Sequence, residues 1–228
     1  MSAGVEFLIG LLEQDAPVHV ASEDFEGEHA GLLRACQREG FLGREPQLHP
    51  VPSCPHCGEG VPYQLGGRNL CNHCRSTVTQ QHLRCWKLDV SAFLGWLASR
   101  LRLRGRVRRV EDRLWHLGVW GKGDDLYECF YRRNGSLSPL GETRLAAYRN
   151  ALVLYGLSGP PESERLCVRC VSLLAVLRAG RTLAVTDLGS LLRARGNIRF
   201  DTHSGALWVG DARLGEVPPG SKEYYFLY

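Results

Sequence analysis

The sequence predicts an α+β fold, in which small helical units and antiparallel β-hairpins flank a cysteine-rich segment. Two observations lead to this expectation. Stretches with apolar residues at helical spacing alternate with short aromatic and aliphatic runs that end in turn residues, and two Cys-x-x-Cys pairs fall within residues 54–74. The 228 residues suffice for one large domain or two to three small ones. No apolar run reaches the roughly 18 to 20 residues of a membrane span, so we expect no membrane partner.

Residues 1–50 are expected to form a helical or winged-helix-like segment. The runs "GVEFLIGLLE" at 4–13 and "GEHAGLLRACQREGFL" at 27–42 place leucines at helical spacing. Between them, "APVHVASEDF" predicts a short strand or a loop. The polar, proline-containing stretch "GREPQLHPVPS" then connects this segment to the next one.

Residues 51–80 contain the most specific motif of the chain, "SCPHCGEGVPYQLGGRNLCNHCRS". Four soft thiolates are the ligand set that Zn²⁺ takes in closed tetrahedral structural sites. They belong to Cys54, Cys57, Cys71 and Cys74. "Cys-Pro-His-Cys-Gly" at 54–58 and "Cys-Asn-His-Cys" at 71–74 resemble a zinc ribbon. The resemblance implies one structural zinc ion, and members of this group bind nucleic acid, polymerase subunits or other proteins. Because four thiolates leave no open coordination position, no catalytic zinc is expected.

A third Cys-x-x-Cys pair, Cys167 and Cys170, has no fourth pair to complete a metal site. Two interpretations stay open. Both thiols could pack in the core, or they could form a second metal or redox site together with Cys129, Cys85 or His82.

Residues 81–157 are expected to form a module of a basic helix and a β-hairpin. "LDVSAFLGWLASRL" at 88–101 has the apolar spacing of an amphipathic helix, and Asp89 could cap it. "RLWHLGVW" and "LYECFYRR", joined by the turn-forming "GKGDD", predict a hairpin over 113–133. "GETRLAAYRNALVLYGL" at 141–157 is expected to return to helix.

We call residues 100–109, "RLRLRGRVRR", the arginine segment. In a strand, alternate residues share a face. The expected row is therefore Arg100, Arg102, Arg104, Arg106 and Arg108, with Arg109 beside it. Guanidinium groups bind phosphate bidentately, and residues 75–122 carry eleven Lys plus Arg against three acids. The row therefore suits a nucleic-acid backbone.

Two other interpretations of the arginine segment stay open. Residues 1–50 carry nine acids and three Arg, so the row could pair with this acidic segment or with an acidic partner. It could also be a solvated strand face. Trp115, Trp120, Tyr127 and Tyr131 could stack on bases, although a two-sided hairpin would bury most of them.

Residues 163–228 are expected to form a winged-helix-like region. Within residues 198–228, a strand ending in Phe-Asp, a Ser-Gly turn, "Leu-Trp-Val" and a turn at Gly210-Asp211 precede "Gly-Ser-Lys-Glu-Tyr". This order resembles the small sheet and first-helix entry of response-regulator winged-helix effector domains. The resemblance implies that the DNA-reading helix is missing. Either the aromatic end docks in a groove, or a longer chain continues past Tyr228. Alternatively, residues 171–210 are themselves a winged-helix-like unit of helix, helix and wing hairpin.

The sequence has no Gly-x-Ser-x-Gly, phosphate-binding loop or His-Glu-x-x-His motif, and we expect no enzyme activity and no catalytic residue. A metal-dependent nuclease would need Asp124, Asp125 and Glu128 to converge. The odd number of cysteines and their short spacings favour reduced thiols and a cytoplasmic location. The excess of arginine over lysine is typical of a GC-rich genome, and we expect a bacterial protein.

These observations favour a non-enzymatic, zinc-stabilised nucleic-acid-binding protein, a bacterial regulator whose arginines contact phosphates while the zinc supplies rigidity. DNA is expected rather than RNA. The alternative is a protein–protein adaptor or assembly subunit of a larger complex, in which winged-helix-like regions dock a protein partner and the zinc is purely structural.

Overall fold

A computed structural model describes residues 3–15, 17–50, 52–122, 126–134, 138–148, 150–157, 169–179, 182–196, 198–201, 206–209 and 212–216. Helices and sheets are both present, which confirms the α+β class. The chain divides into two compact units, residues 1–185 and residues 186–228. The division into segments 1–50, 51–80, 81–157 and 163–228 stays a prediction.

Within the described residues, the first unit contains six α-helices, one short 3-10 helix (Gln81–Leu83) and twelve strands. The α-helices are α1 (Ala3–Glu13), α2 (Ser22–Glu26), α3 (Ala30–Arg38), α4 (Val90–Arg100), α5 (Pro139–Ala146) and α6 (Leu173–Val176). The strands are β1 (Val18–Ala21), β2 (Gln47–Leu48), β3 (Pro62–Leu65), β4 (Arg68–Cys71), β5 (Arg84–Leu88), β6 (Arg108–Glu111), β7 (Leu114–Trp120), β8 (Tyr127–Arg132), β9 (Ala151–Tyr155), β10 (Arg169–Ser172), β11 (Leu177–Ala179) and β12 (Leu183–Val185).

Two sheets organise the first unit. The smaller is antiparallel with the strand order β1-β5-β2. The larger has the order β10-β9-β8-β7-β6, and it is antiparallel from β6 to β8 and parallel from β8 to β10. Strands β3 and β4 form an antiparallel pair, as do β11 and β12. The cysteine-rich β3–β4 pair is therefore an insertion between two strands of the smaller sheet.

The helices and the hairpin with the strongest local patterns lie where the sequence predicts them. α1 buries Leu8 and Leu12, and α3 buries Leu33. The Asp89 carboxylate accepts a hydrogen bond from the Ala92 N–H at 2.9 Å, which confirms the expected cap of α4. β7 and β8 pair as the predicted antiparallel hairpin.

The prediction of one helix over 141–157 is wrong. α5 ends at Ala146, and the run "ALVLY" forms β9 in the middle of the larger sheet. Its first four residues are buried. A strand that neighbours cover on both faces has a continuous apolar run, and a short run of that kind cannot be told from a helix by spacing alone.

The first helix of the winged-helix-like unit expected over 171–210, which would cover "VSLLAVLRAG" at 171–180, is also wrong in extent. The chain forms β10, then the single turn α6, and then β11. β10 pairs in parallel with β9, and this pairing between distant segments overrides the local leucine pattern.

The second unit contains α7 (Leu188–Gly196) and the strands β13 (Ile198–Asp201), β14 (Ala206–Val209) and β15 (Ala212–Glu216). The Asp187 carboxylate accepts from the Ser190 N–H at 2.8 Å, as expected of a cap. The strands form an antiparallel sheet in the order β13-β14-β15. Residues 217–228 lie outside the described residues, so the winged-helix-like character of this region stays a prediction. Of the helices described in either unit, none has both the length and the apolar character that crossing a membrane requires.

Gly118 of β7 lies where the arginine segment pairs with that strand, at the isolated bridge between Arg104 and Val119. The Arg104 N–H donates to the Val119 carbonyl at 2.9 Å, and the Val119 N–H donates back to Arg104 at 2.8 Å. Gly118 has φ of +130°, and a Cβ there would lie 2.5 Å from the Arg104 carbonyl oxygen. The backbones approach this closely because position 118 has no side chain.

We therefore expect Gly118→Ala to lower the free energy of unfolding by roughly 1 to 3 kcal/mol, measured by denaturant titration. Gly95→Ala is the control, because Gly95 is inside α4 and a Cβ there would meet no atom within 4 Å. That change should raise the free energy of unfolding by about 0.5 to 1 kcal/mol. Equal stability of the two variants would contradict this account of the pairing between Arg104 and Val119.

Candidate metal centre and arginine segment

The four predicted cysteine ligands come together in the first unit. Every pair of their sulfur atoms lies within 4.8 Å, and the set could hold one metal ion. It consists of Cys54, Cys57, Cys71 and Cys74. The Sγ atoms of Cys54 and Cys74 are 3.6 Å apart, and those of Cys57 and Cys71 are 3.7 Å apart.

These distances fit a tetrahedral thiolate site. A Zn–S bond of about 2.3 Å implies an edge of about 3.8 Å between sulfurs of a regular tetrahedron. The two measured pairs are within 0.2 Å of that edge. The donor set therefore fits a single tetrahedral metal ion.

Backbone amides point at the sulfurs of both Cys-x-x-Cys pairs. The His56 N–H donates to the Cys54 sulfur at 3.4 Å, and the His73 N–H donates to the Cys71 sulfur at 3.3 Å. Such hydrogen bonds stabilise negative charge on the sulfur atoms. The imidazoles of His56 and His73 are not in the ligand cluster.

The surroundings of the thiols shift their pKa values in different directions. Hydrogen bonds from the Gly60 backbone and the His73 side chain lower the pKa of Cys57 to about 5. Hydrogen bonds with Ser76 also lower the pKa of Cys74. Burial instead raises the pKa of Cys54 to about 11. The hydrogen bonds thus favour the thiolate form of Cys57 and Cys74, whereas burial favours the protonated form of Cys54, and metal binding requires the thiolate form of each ligand.

Gly60 leaves room for the Cys71 sulfur because it has no side chain. A Cβ at this position would lie 2.1 Å from the Cys71 sulfur. The Gly60 carbonyl also accepts a hydrogen bond from the Cys54 N–H at 2.7 Å. The sequence does not predict this role of Gly60, because the residues next to it carry no pattern that indicates a contact with Cys71.

The arginine segment does not form the single strand predicted for it. α4 continues through Arg100, Arg102 has φ of +56°, and β6 begins only at Arg108. The Leu103 N–H donates to the Ala98 carbonyl at 2.9 Å and the Arg102 N–H to the Ser99 carbonyl at 3.0 Å. This pair of hydrogen bonds is a Schellman motif, which ends a helix with a left-handed residue.

The arginines and apolar residues of the segment nevertheless differ in solvent exposure, as the predicted alternation requires. All six arginines predicted as the row and its neighbour are exposed: Arg100, Arg102, Arg104, Arg106, Arg108 and Arg109. Leu101 is buried, while Leu103 and Val107 are half-buried. The apolar side chains anchor the segment and leave the guanidinium groups in solvent.

Three of these arginines have local partners. Arg100 forms an ion pair with Glu39 at 3.1 Å, Arg104 donates to the Gly121 carbonyl at 3.0 Å, and Arg109 pairs with Asp112 at 2.7 Å. The side chains of Arg102, Arg106 and Arg108 form no hydrogen bond or ion pair with the described part of the chain. Among described residues of the acidic segment 1–50, only Glu39 forms an ion pair with an arginine of the row.

Two clefts border the arginine segment. One has a volume of about 480 Å³ and is lined by Arg102, Arg104, Trp120, Gly121 and Lys122. The other has a volume of about 420 Å³ and lies between β6 and α5. Its basic residues are Arg108, Arg109 and Arg144, and Tyr148 is also part of its lining. Arg144 and Tyr148 were not predicted, because α5 reaches β6 only through the tertiary fold.

The other predicted candidates are dispersed or outside the described residues. Trp115 and Tyr131 are buried, whereas Trp120 and Tyr127 are half-buried. The Glu128 carboxylate contacts the His116 ring nitrogen at 2.5 Å. Asp124, Asp125 and Cys167 lie outside the described residues, so neither the nuclease triad nor a second cysteine site is tested.

Comparison with known proteins returns no match. No family model, no curated protein and no solved structure matches the chain.

Cobalt titration tests the metal centre. We expect one equivalent of Co²⁺ to give the visible absorption of a tetrahedral thiolate complex, because the sulfur geometry fits it. Gly60→Ala should weaken Co²⁺ affinity by about 10- to 100-fold, since a methyl group would displace the Cys71 sulfur. Gly31→Ala is the control, because a Cβ at Gly31 meets nothing within 4 Å. Unchanged affinity in Gly60→Ala would show that the cluster does not bind metal in this geometry.

Proposed function

We propose that the chain is a non-enzymatic nucleic-acid-binding protein in which the arginine segment contacts phosphates and the four-cysteine site holds a structural Zn²⁺. The observation that carries the proposal is the exposure of all six arginines of the row, four of them without an acidic partner in the described residues. A phosphate backbone supplies the missing negative charge at regular spacing.

The local fold supports phosphate binding by the arginine segment. Arg106 and Arg108 are exposed side chains on an otherwise anchored backbone, so little conformational freedom of the main chain is lost when a ligand binds. Arginine offers a planar fork of donors that matches phosphate oxygens. A partner with carboxylate groups could pair with single arginines, but the density of cations favours a polyanion.

The metal centre supports a structural role for zinc. The hydrophobic cluster at the β3–β4 pair consists of Cys54, Cys71 and Val78, with Cys57 and Leu83 packed against it. So small a core does not stabilise an independent unit without a further constraint. A metal ion held by four thiolates supplies that constraint and leaves no coordination position for substrate.

Replacing the unpaired arginines tests the phosphate contacts. We expect the combined variant Arg102→Glu, Arg106→Glu, Arg108→Glu to abolish binding of the zinc-loaded protein to labelled oligonucleotides, measured by fluorescence anisotropy at low salt. For wild type, each neutralised phosphate should contribute about 0.9 to the log–log salt slope on duplex DNA and about 0.7 on single strands.

The matched control carries the same charge change elsewhere. Arg34, Arg44 and Arg84 are also exposed and lie outside the arginine segment. Their combined replacement by Glu should leave most of the affinity intact. Equal loss of binding in the two triple variants would show that the loss comes from the change in net charge and not from contacts made by the arginine segment. Absence of binding by folded, zinc-loaded wild type would refute the proposed function and favour an adaptor that binds protein.

Arg102 gives a second, independent test. As the left-handed residue of the Schellman motif, with φ of +56°, it is in a conformation that glycine adopts without strain. Arg102→Gly should therefore raise the free energy of unfolding by about 1 kcal/mol, while it weakens oligonucleotide binding. Thermal unfolding and anisotropy on the same sample measure both effects. Higher stability with unchanged binding would exclude Arg102 from the phosphate contacts.

A further inference from the structure

We propose that the ligand is a single strand of nucleic acid, and that the cleft between β6 and α5 accepts one of its nucleotides with the base against Tyr148 and the phosphate at Arg108 and Arg144. This inference rests on the proposed function and specifies its substrate class. We call this site the Tyr148 cleft.

The lining of the Tyr148 cleft matches both parts of a nucleotide. Cations come from Arg108, Arg109 and Arg144. Apolar surface comes from Val110, Phe130, Ala147 and Tyr148. A volume of about 420 Å³ is within the range of small-molecule sites. A planar aromatic group with an attached anion satisfies both surfaces at once.

Tyr148 is held in place by rings beneath it. Its ring centroid lies 5.2 Å from that of Phe130, which is almost fully buried. The ring is also nearly parallel to that of His116, at 17° and 6.4 Å. Tyr148 itself is half-buried. A fixed and partly accessible aromatic ring is what base stacking uses, because every base has a π-face.

The cations of the cleft are placed for an anion. Arg144 donates to the Val110 carbonyl at 3.0 Å, which orients a guanidinium group that has further donors available. Arg109 is held by Asp112 and lies over the Trp115 ring. Arg108 is exposed and forms no ion pair with the described part of the chain. Arg108 and Arg144 can therefore take the phosphate without breaking an existing ion pair.

The cleft at the other end of the segment also combines cationic side chains with an aromatic ring. Trp120 is half-buried, and it lines that cleft with Arg102, Arg104 and Lys122. Arg104 and Arg108 are four residues apart, so their Cα atoms lie at most about 14 Å from each other. A duplex keeps its bases stacked inside and would leave both aromatic rings unused. A single strand can offer a base to each ring while its phosphates follow the arginines.

Oligothymidylate of roughly 12 nucleotides and an abasic oligonucleotide of the same length separate the contribution of base stacking to affinity from that of phosphate contacts. They have the same phosphates, but only the first has bases. By fluorescence anisotropy, wild type should bind oligothymidylate roughly 5- to 100-fold more tightly than the abasic strand. Tyr148→Leu should lose most of this preference while its affinity for the abasic strand and its salt slope stay unchanged. Tyr148→Phe should keep the preference.

Separate controls distinguish misfolding of a variant from loss of base stacking. Thermal unfolding checks that Tyr148→Leu, which keeps an apolar side chain over Phe130, remains folded. If that variant unfolds, Trp120→Leu applies the same test at the other cleft, and loss of the preference there supports the proposal. Equal wild-type affinity for both strands, or a preference that survives both leucine variants, overturns the single-strand inference and leaves phosphate binding in place. Failure of wild type to bind either strand overturns the proposed function itself.

Discussion

The backbone pairing of Arg104 with Val119 is the contact on which the position of the arginine segment depends. Two hydrogen bonds of 2.8 and 2.9 Å join these residues. They form only because Gly118 leaves room for the Arg104 carbonyl. The segment is thus fixed at three points: to the end of α4 by the left-handed turn at Arg102, to β7 at Arg104, and to the larger sheet through β6. The exposure of its arginines is thus a property of the fold rather than of a free strand.

The cysteine cluster constrains a different part of the first unit. It closes an insertion between β2 and β5, two strands that pair with each other in the smaller sheet. α4 follows β5 directly, and the arginine segment follows α4. A metal ion that stabilises the insertion would therefore support the elements leading into the arginine segment without contacting a ligand. Under the proposed function, metal removal and arginine replacement then affect binding by different routes: the first through folding, the second through charge.

Features coded by neighbouring residues could be predicted from the sequence. The cysteine spacing, the Asp89 cap of α4, the leucine pattern of α1 and the hairpin β7–β8 belong to this group. Features that depend on distant segments could not. β9 is a strand because β8 and β10 flank it. An arginine at position 102 does not by itself indicate a left-handed turn. The Tyr148 cleft exists because α5 packs on β6, which joins Arg144 to the Val110 carbonyl across 34 positions of the sequence.

Amide hydrogen–deuterium exchange of the zinc-loaded protein, with and without oligothymidylate, tests the central claim most directly. It locates the binding surface without changing any residue. Ligand should slow exchange in residues 102–109 and in residues 139–148, and should leave the cysteine-rich residues 54–76 unchanged. Protection confined to residues 54–76, with none in the arginine segment, would contradict the account and make the metal-held insertion the binding surface.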